Sequence, residues 1–179
     1  KKIKYLFKIF YDYKKIKKFD IVILLGFTKI IDSKLLKKNK LNITIHESSL
    51  PRNKGFSPIQ YQILENKNII DICLIELKNK VDSGDILKKS KIYFKGNELY
   101  DEIRLIQSKK TFQLISKFLN DFPNFNRKKQ IGKSNFLKKR YPRDSKLNIH
   151  KTIKENFNLL RVNNNNEWPS FFEYRKSKY

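Results

Sequence analysis

The sequence predicts an α/β fold of the Rossmann-like kind, built on a central, mostly parallel sheet. Three observations carry this. Residues 20–25 (Asp-Ile-Val-Ile-Leu-Leu) form a near-continuous apolar run, as a strand covered on both faces of a parallel sheet does. Residues 41–45 alternate apolar and polar side chains, the pattern of a half-buried strand. Before the next strand-like run, 69–77, Ser57-Pro58-Ile59-Gln60 reads as a helix start: serine as N-cap, proline at the first helical position, glutamine three residues on. His46 then closes a strand above a helix N-terminus, the end of an open α/β sheet where ligands bind.

Taken in order, residues 4–10 can form a strand, and 11–19 a basic linker or short helix. The run 20–25 is the clearest buried strand, and Gly26, Phe27 and Thr28 turn it into 29–31. Asp32 or Ser33 caps a helix through Lys38. Strand 41–45 ends at His46, where Pro51 and Gly55 force a loop. A helix from Pro58 to Asn66 buries Ile59, Ile63 and Leu64. Strand 69–77, a loop at Asp82 and strand 85–94 follow. Gly96 and Asn97 open a long helix whose apolar face is Leu99, Ile103, Ile106, Leu114, Ile115, Phe118 and Leu119. Asp121-Phe122-Pro123 stops it. Residues 124–147 are polar, basic and loop-rich; Thr152 caps a helix over 153–160; four Asn at 163–166 make a turn. Residues 172–179 read as a last strand cut short.

A chain of 179 residues suits one domain, and 39% hydrophobic with 13% aromatic residues suits a packed core over a disordered chain. No apolar run approaches the length of a membrane-spanning helix, and no membrane partner is expected. The basic first ten residues lack the small-residue cleavage site of a signal peptide. The single Cys73 lies in an apolar run and reads as a small buried hydrophobe, consistent with a reducing cytoplasm. The chain contains no Met, so a fragment is expected; a doubly wound fold wants one more βα unit before Lys1. The net charge of +24 invites a nucleic-acid partner. However, only seven of the 41 basic residues are Arg, and the lysines are spread along the chain instead of forming a stripe. A solvated surface with weak, non-specific RNA adsorption is the expectation, and a non-catalytic nucleic-acid-binding domain the reading from another class. One Cys and two distant His do not make a metal site, and the chain has no glycine-rich nucleotide-binding motif.

His46-Glu47-Ser48-Ser49-Leu50-Pro51-Arg52-Asn53-Lys54-Gly55-Phe56-Ser57-Pro58-Ile59-Gln60, followed by Val81-Asp82-Ser83-Gly84-Asp85-Ile86, resembles the formyltransferases that use 10-formyltetrahydrofolate. These include methionyl-tRNA, glycinamide-ribonucleotide and nucleotide-linked amino-sugar formyltransferases. Their shared pattern is Asn-x-His, a Ser-Leu-Leu-Pro loop with Gly, and a later Asp-x-Gly-Asp. The two motifs in order are specific, and the likeness runs from Asp20 to the end. Thr44 stands where the family has its Asn; Asn42 lies two residues further back on the same strand face. In the tail, Arg140-Tyr141-Pro142-Arg143-Asp144-Ser145 and Leu160-Arg161, with Trp168-Pro169 and Phe171-Phe172, are similar to the segment after the catalytic domain of sugar formyltransferases.

The resemblance implies a catalytic domain over 1–122, N-terminally incomplete, with 123–179 an extension packed on it. It implies N-formylation from 10-formyltetrahydrofolate as co-substrate. A nucleotide-linked amino sugar is the expected acceptor and methionyl-tRNA the alternative. Such a transfer needs a donor for the formyl oxygen and an acceptor for the amine's proton. By resemblance His46 takes the oxyanion or proton-transfer role, Asp82 orients it, and Thr44 or Asn42 supplies a second hydrogen bond. Gly26 and Phe27 are expected beside the pterin, and Gly84 lets backbone approach it. Glu47 is either a solvated carboxylate or a substrate contact. Ser48, Arg52 and Lys54 complete the substrate side, the two cations being able to meet a phosphate. Asp85 reads as a turn residue, and His150 as having no catalytic role.

Overall fold

The computed structural model describes residues 5–27 and 32–179. In chain order the elements are β1 (Ile21–Leu24), α1 (Ser33–Lys38), β2 (Leu41–His46), β3 (Lys54–Gly55), α2 (Pro58–Leu64), β4 (Ile69–Glu76), β5 (Ile86–Tyr93), α3 (Tyr100–Asp121), β6 (Phe136–Leu137), α4 (Ile153–Val162), β7 (Glu173–Tyr174) and β8 (Ser177–Lys178). Short 3-10 helices occupy Tyr13–Lys15 and Pro142–Ser145.

The central sheet has the order β1-β2-β4-β5. β1 and β2 are parallel, with Ile21 opposite Leu41 and Leu24 opposite Thr44. β4 runs antiparallel to both neighbours, with His46 opposite Cys73 and Ile70 opposite Ile92. The sheet is therefore mixed, which corrects the expectation of a mostly parallel one. The connection explains the reversal. A parallel return would carry the chain back along β2, roughly 20 Å for six residues. The seven residues of α2 span only about 10 Å. Asn66, in the left-handed region at φ 61°, then turns the chain straight into β4 at the His46 end of β2.

The main core lies on one face of the sheet. Ile43, Ile70, Ile72, Leu74 and Ile92 pack there against Ile59 and Ile63 of α2, Ile103, Leu114 and Phe118 of α3, and Val162 of α4. Each such side chain contributes roughly 1.5–3 kcal/mol on burial. Residues directly opposite across an antiparallel pair share a face, so Thr44 and His46 lie with Ile75 and Cys73 on the other face. There Leu50, Cys73, Ile75 and Ile86 form a second cluster, beneath the loop that follows β2.

Several local expectations are modified. Residues 5–10 form no strand; the Tyr5 hydroxyl instead donates to the Leu119 carbonyl. Residues 28–31, read as the continuation of the β1 turn, lie outside the described residues. Asp32 caps α1, its carboxylate accepting from the Lys34 amide at 2.8 Å. Ser57 takes a left-handed φ of 51° and makes no side-chain cap, so the capping box expected with Gln60 does not form. Gln62 ties this helix start down instead, donating to the carbonyls of Pro58 and Glu47 at 2.9 and 2.8 Å. Leu99 precedes α3 as its N-cap and is exposed. Thr152 and Glu155 form a reciprocal cap on α4. The expected last strand folds back on itself through Arg175 and Lys176, both left-handed, as the hairpin β7–β8. No helix among the described residues is long and apolar enough to cross a membrane.

Candidate active site

The loop after β2 and the loop between β4 and β5 fold over the sheet face that carries His46. His46 is the last residue of β2 and is buried. Its Nε2 lies 2.7 Å from the Asn53 carbonyl. A carbonyl can only accept, so Nε2 carries the hydrogen. Nδ1 faces the Asp82 carboxylate, with Oδ2 at 3.4 Å. The same Oδ2 accepts from the Gly55 amide at 2.8 Å. Asp82 sits at φ 48°, a left-handed conformation that Asp adopts more readily than bulkier residues. The backbone of the His46 loop thus holds the Asp82 carboxylate, and the carboxylate faces the ring.

This pair lies on the wall of an open cavity of about 980 Å³. Of the expected residues, Gly26, Phe27, Thr44, His46, Glu47 and Asp82 line it. Asn42, Ser48, Arg52, Lys54 and Gly84 do not. Asn42 is spent on structure: its amide donates to the Leu36 carbonyl at 2.8 Å and accepts from Asn39 at 3.0 Å, fastening α1 to β2. Ser48 donates to the Arg52 carbonyl at 2.7 Å. The Arg52 side chain points to solvent, while Lys54 lies over the Phe136 ring and borders a smaller cavity on the far side of the loop. A Cβ at Gly84 would lie 1.5 Å from the Glu76 carbonyl, so this glycine serves the packing of its own loop, not the approach of a ligand. Thr44 reaches the cavity, but its hydroxyl donates to the Leu24 carbonyl at 2.7 Å and leaves only lone pairs for another partner.

Glu47 is not a solvated carboxylate. It is half-buried, and Gln107 of α3 donates to it. Burial pushes its carboxyl above the ordinary range, and the Gln107 hydrogen bond and the neighbouring His46 only partly offset this. Across the cavity stand Tyr100, Arg104, Gln107, Ser108 and Thr111, one face of α3, with Arg140, Asn163 and Trp168 from the tail.

Sequence reasoning missed what braces the pair. Residues 127–137 run across both loops. Arg127 pairs with Glu76 at 2.8 Å, and Lys128 and Ile86 exchange backbone hydrogen bonds of 2.8 and 2.9 Å. The Gln130 amide donates to the carbonyls of Asp82 and Gly84, each at 2.8 Å. Asn135 accepts from the Asn53 amide at 2.8 Å, and β6 pairs with β3. These contacts join backbone and amide groups far apart in sequence, and such groups leave no pattern in a polar stretch.

The family described as Formyl transferase matches residues 10–112. A methionyl-tRNA formyltransferase from Mycoplasmopsis pulmonis is 36% identical over 100 residues, 55% of this chain and 35% of that protein. One from Orientia tsutsugamushi is 26% identical over 156 residues, 86% of this chain and 50% of that protein. The chain thus spans half or less of the length of these curated relatives. Among solved structures, methionyl-tRNA formyltransferase from Clostridium thermocellum superposes with a TM-score of 0.77 at 21% identity, covering 89% of this chain and 69% of that one. A 4-N formyltransferase from Francisella tularensis gives 0.71 at 22%, covering 89% and 68%. HypX from Aquifex aeolicus in complex with tetrahydrofolic acid gives 0.69 at 13%, covering 89% and 28%. At these identities the structural likeness establishes the fold: the α/β formyltransferase fold, here with a mixed sheet.

Proposed function

The chain belongs to the formyl transferase family, and on that premise we propose that its protein moves the formyl group of 10-formyltetrahydrofolate to the amine of methionyl-tRNA. The observation that carries this reading is the His46–Asp82 pair, 3.4 Å apart on the wall of a cavity of about 980 Å³. The choice of acceptor rests on the relatives, which carry the methionyl-tRNA name over up to 86% of this chain. It displaces the amino sugar expected from the motifs. The charge of +24 supports it, since RNA binding draws on phosphate neutralisation.

The cavity suits the co-substrate. Its volume lies at the upper end of roughly 300–1,000 Å³ for ligand sites, with room for part of an acceptor, and Gly26 and Phe27 line it. In the transfer the amine nitrogen bonds to the formyl carbon and the carbonyl electrons move to oxygen; they return as the bond to the folate nitrogen breaks, and that nitrogen takes up a proton to balance the one the amine gives up. The His46 ring N–H, exchanging the Asn53 carbonyl for the formyl oxygen, would stabilise that charge, with the Asp82 carboxylate holding the ring. Glu47, half-buried beside His46 and hydrogen-bonded by Gln107, is our candidate for the acceptor of the amine's proton. We read 1–122 as the catalytic domain and 123–179 as the extension; the support is that 127–137 bind the site loops and Arg161 binds Glu98.

The test is turnover by the full-length protein with 10-formyltetrahydrofolate and a panel of amines. Met-tRNA should be formylated, with an apparent affinity falling by orders of magnitude between about 50 and 200 mM salt. Turnover of nucleotide-linked amino sugars alone would reverse the acceptor, and no turnover of any amine would sink formyl transfer.

A further inference from the structure

Arg140 stands just before the 3-10 helix Pro142–Ser145 and is 5% exposed. Its Nη2 donates to the Asp144 carbonyl at 3.0 Å and to the Asn163 side-chain oxygen at 3.1 Å. Both partners are neutral acceptors. Its Nη1 is buried and has no hydrogen-bond partner among the described residues. The Asp144 carboxylate, the obvious counter-charge, turns instead to the Tyr141 amide at 2.7 Å. The contrast with the other buried guanidinium is direct: Arg161 meets the Glu98 carboxylate at 2.9 Å.

A buried guanidinium cannot escape its desolvation by losing a proton, so proteins pair such groups with anions. Burial holds Arg140 below the ordinary range for arginine, only partly opposed by the charge of Asp144. Arg140 also lines the cavity that contains His46 and Asp82, beside Asn163 and Trp168, with Arg104 on the α3 wall. The two bonds it makes in the packing go to neutral acceptors that an uncharged donor could also satisfy, so neither of them requires its charge.

We propose that Arg140 is the anion anchor of this cavity, its fork receiving an oxyanion of a bound substrate. This rests on reading the cavity as the substrate site. The oxygen has two possible sources of the same chemistry, a phosphate of the acceptor or a carboxylate of the folate. Both acceptors considered above carry phosphate, so the anchor serves either.

Two measurements on the full-length protein decide it. The first is a calorimetric titration with pyrophosphate at moderate salt, comparing wild type, Arg140→Gln and Arg140→Lys. Circular dichroism checks that each variant is folded, and the lysine variant keeps the charge if the glutamine variant fails to fold. Wild type should show a site that weakens roughly 10–100-fold in Arg140→Gln, the range for a lost charge-assisted hydrogen bond. This titration stands even if the protein transfers no formyl group. The second is the Michaelis constant of each substrate. A rise of that order for the acceptor alone, with kcat little changed, names the phosphate; a rise for the folate alone names the carboxylate. Unchanged pyrophosphate binding together with unchanged Michaelis constants would overturn the anchor. Where no formyl transfer occurs, equal pyrophosphate titrations of wild type and both variants would overturn it alone.

Discussion

Replacing Arg161 with Leu should destabilise the fold by about 3 kcal/mol, at the lower end of the roughly 3–5 kcal/mol for breaking a buried ion pair. The site explains the size. Arg161 and Glu98 have side chains 1% and 8% exposed. Nη2 donates to the Glu98 carboxylate and Nε to the Glu98 carbonyl, both at 2.9 Å, which binds α4 to the turn before α3. Without the guanidinium, the carboxylate remains buried as a lone charge. It keeps the amides of Lys95 and Gly96, which is why the low end of the range applies. With a urea m-value of about 2 kcal/mol/M, the midpoint should fall by about 1.5 M. The companion Glu98→Gln/Arg161→Leu removes the charge but keeps an acceptor for only one of those two amides, so it should recover part of the loss. Acid adds a second axis. Burial pushes the Glu98 carboxyl up, but the Lys95 and Gly96 amides and Arg161 outweigh it and hold it below its ordinary value. A depressed carboxyl stabilises fully above its unfolded pKa, and that contribution is lost as pH falls through its folded pKa. The gap between wild type and Arg161→Leu should therefore narrow in acid. A midpoint shift below about 0.3 M, or a double variant as unstable as the single one, would refute the reasoning.

Three further outcomes are expected. His46→Ala and Asp82→Asn should each lower turnover by roughly 10²–10⁴-fold with the fold intact, and full activity in either would remove the pair from the mechanism. Gln130→Leu deletes both amide bonds to the Asp82 loop and should cut kcat about tenfold at nearly constant KM; a change confined to the melting temperature would make Gln130 purely structural. Cys73 is wholly buried, and burial pushes its thiol up to about 11. At pH 8 only about one thiol in a thousand is ionised, so iodoacetamide should label the protein only once urea has unfolded it. Rapid labelling of the native protein would refute that burial.

By itself the sequence determined the four strands of the central sheet and pointed to the candidate pair His46 and Asp82. The runs at 20–25, 41–45, 69–77 and 85–94 became the four strands because apolar periodicity is a local property of strand geometry. The motifs named His46, which ends β2, and Asp82, which follows β4; β2 and β4 pair antiparallel, and the Gly55 amide of the His46 loop holds the Asp82 carboxylate beside the ring. Tertiary structure decided the rest. Whether β4 runs parallel or antiparallel depends on how far α2 carries the chain, a distance that periodicity does not encode. Asn42 and Thr44 share a strand face with His46, yet their polar groups were claimed by Leu36, Asn39 and Leu24, which only packing brings near. Gly84 answers to a carbonyl eight residues earlier, across the hairpin. Gln130 and Arg140 looked like any other polar residues of a basic tail. Burial, and in Arg140 a donor without an acceptor, is what separates them from the solvated surface, and burial exists only once the chain has closed around them.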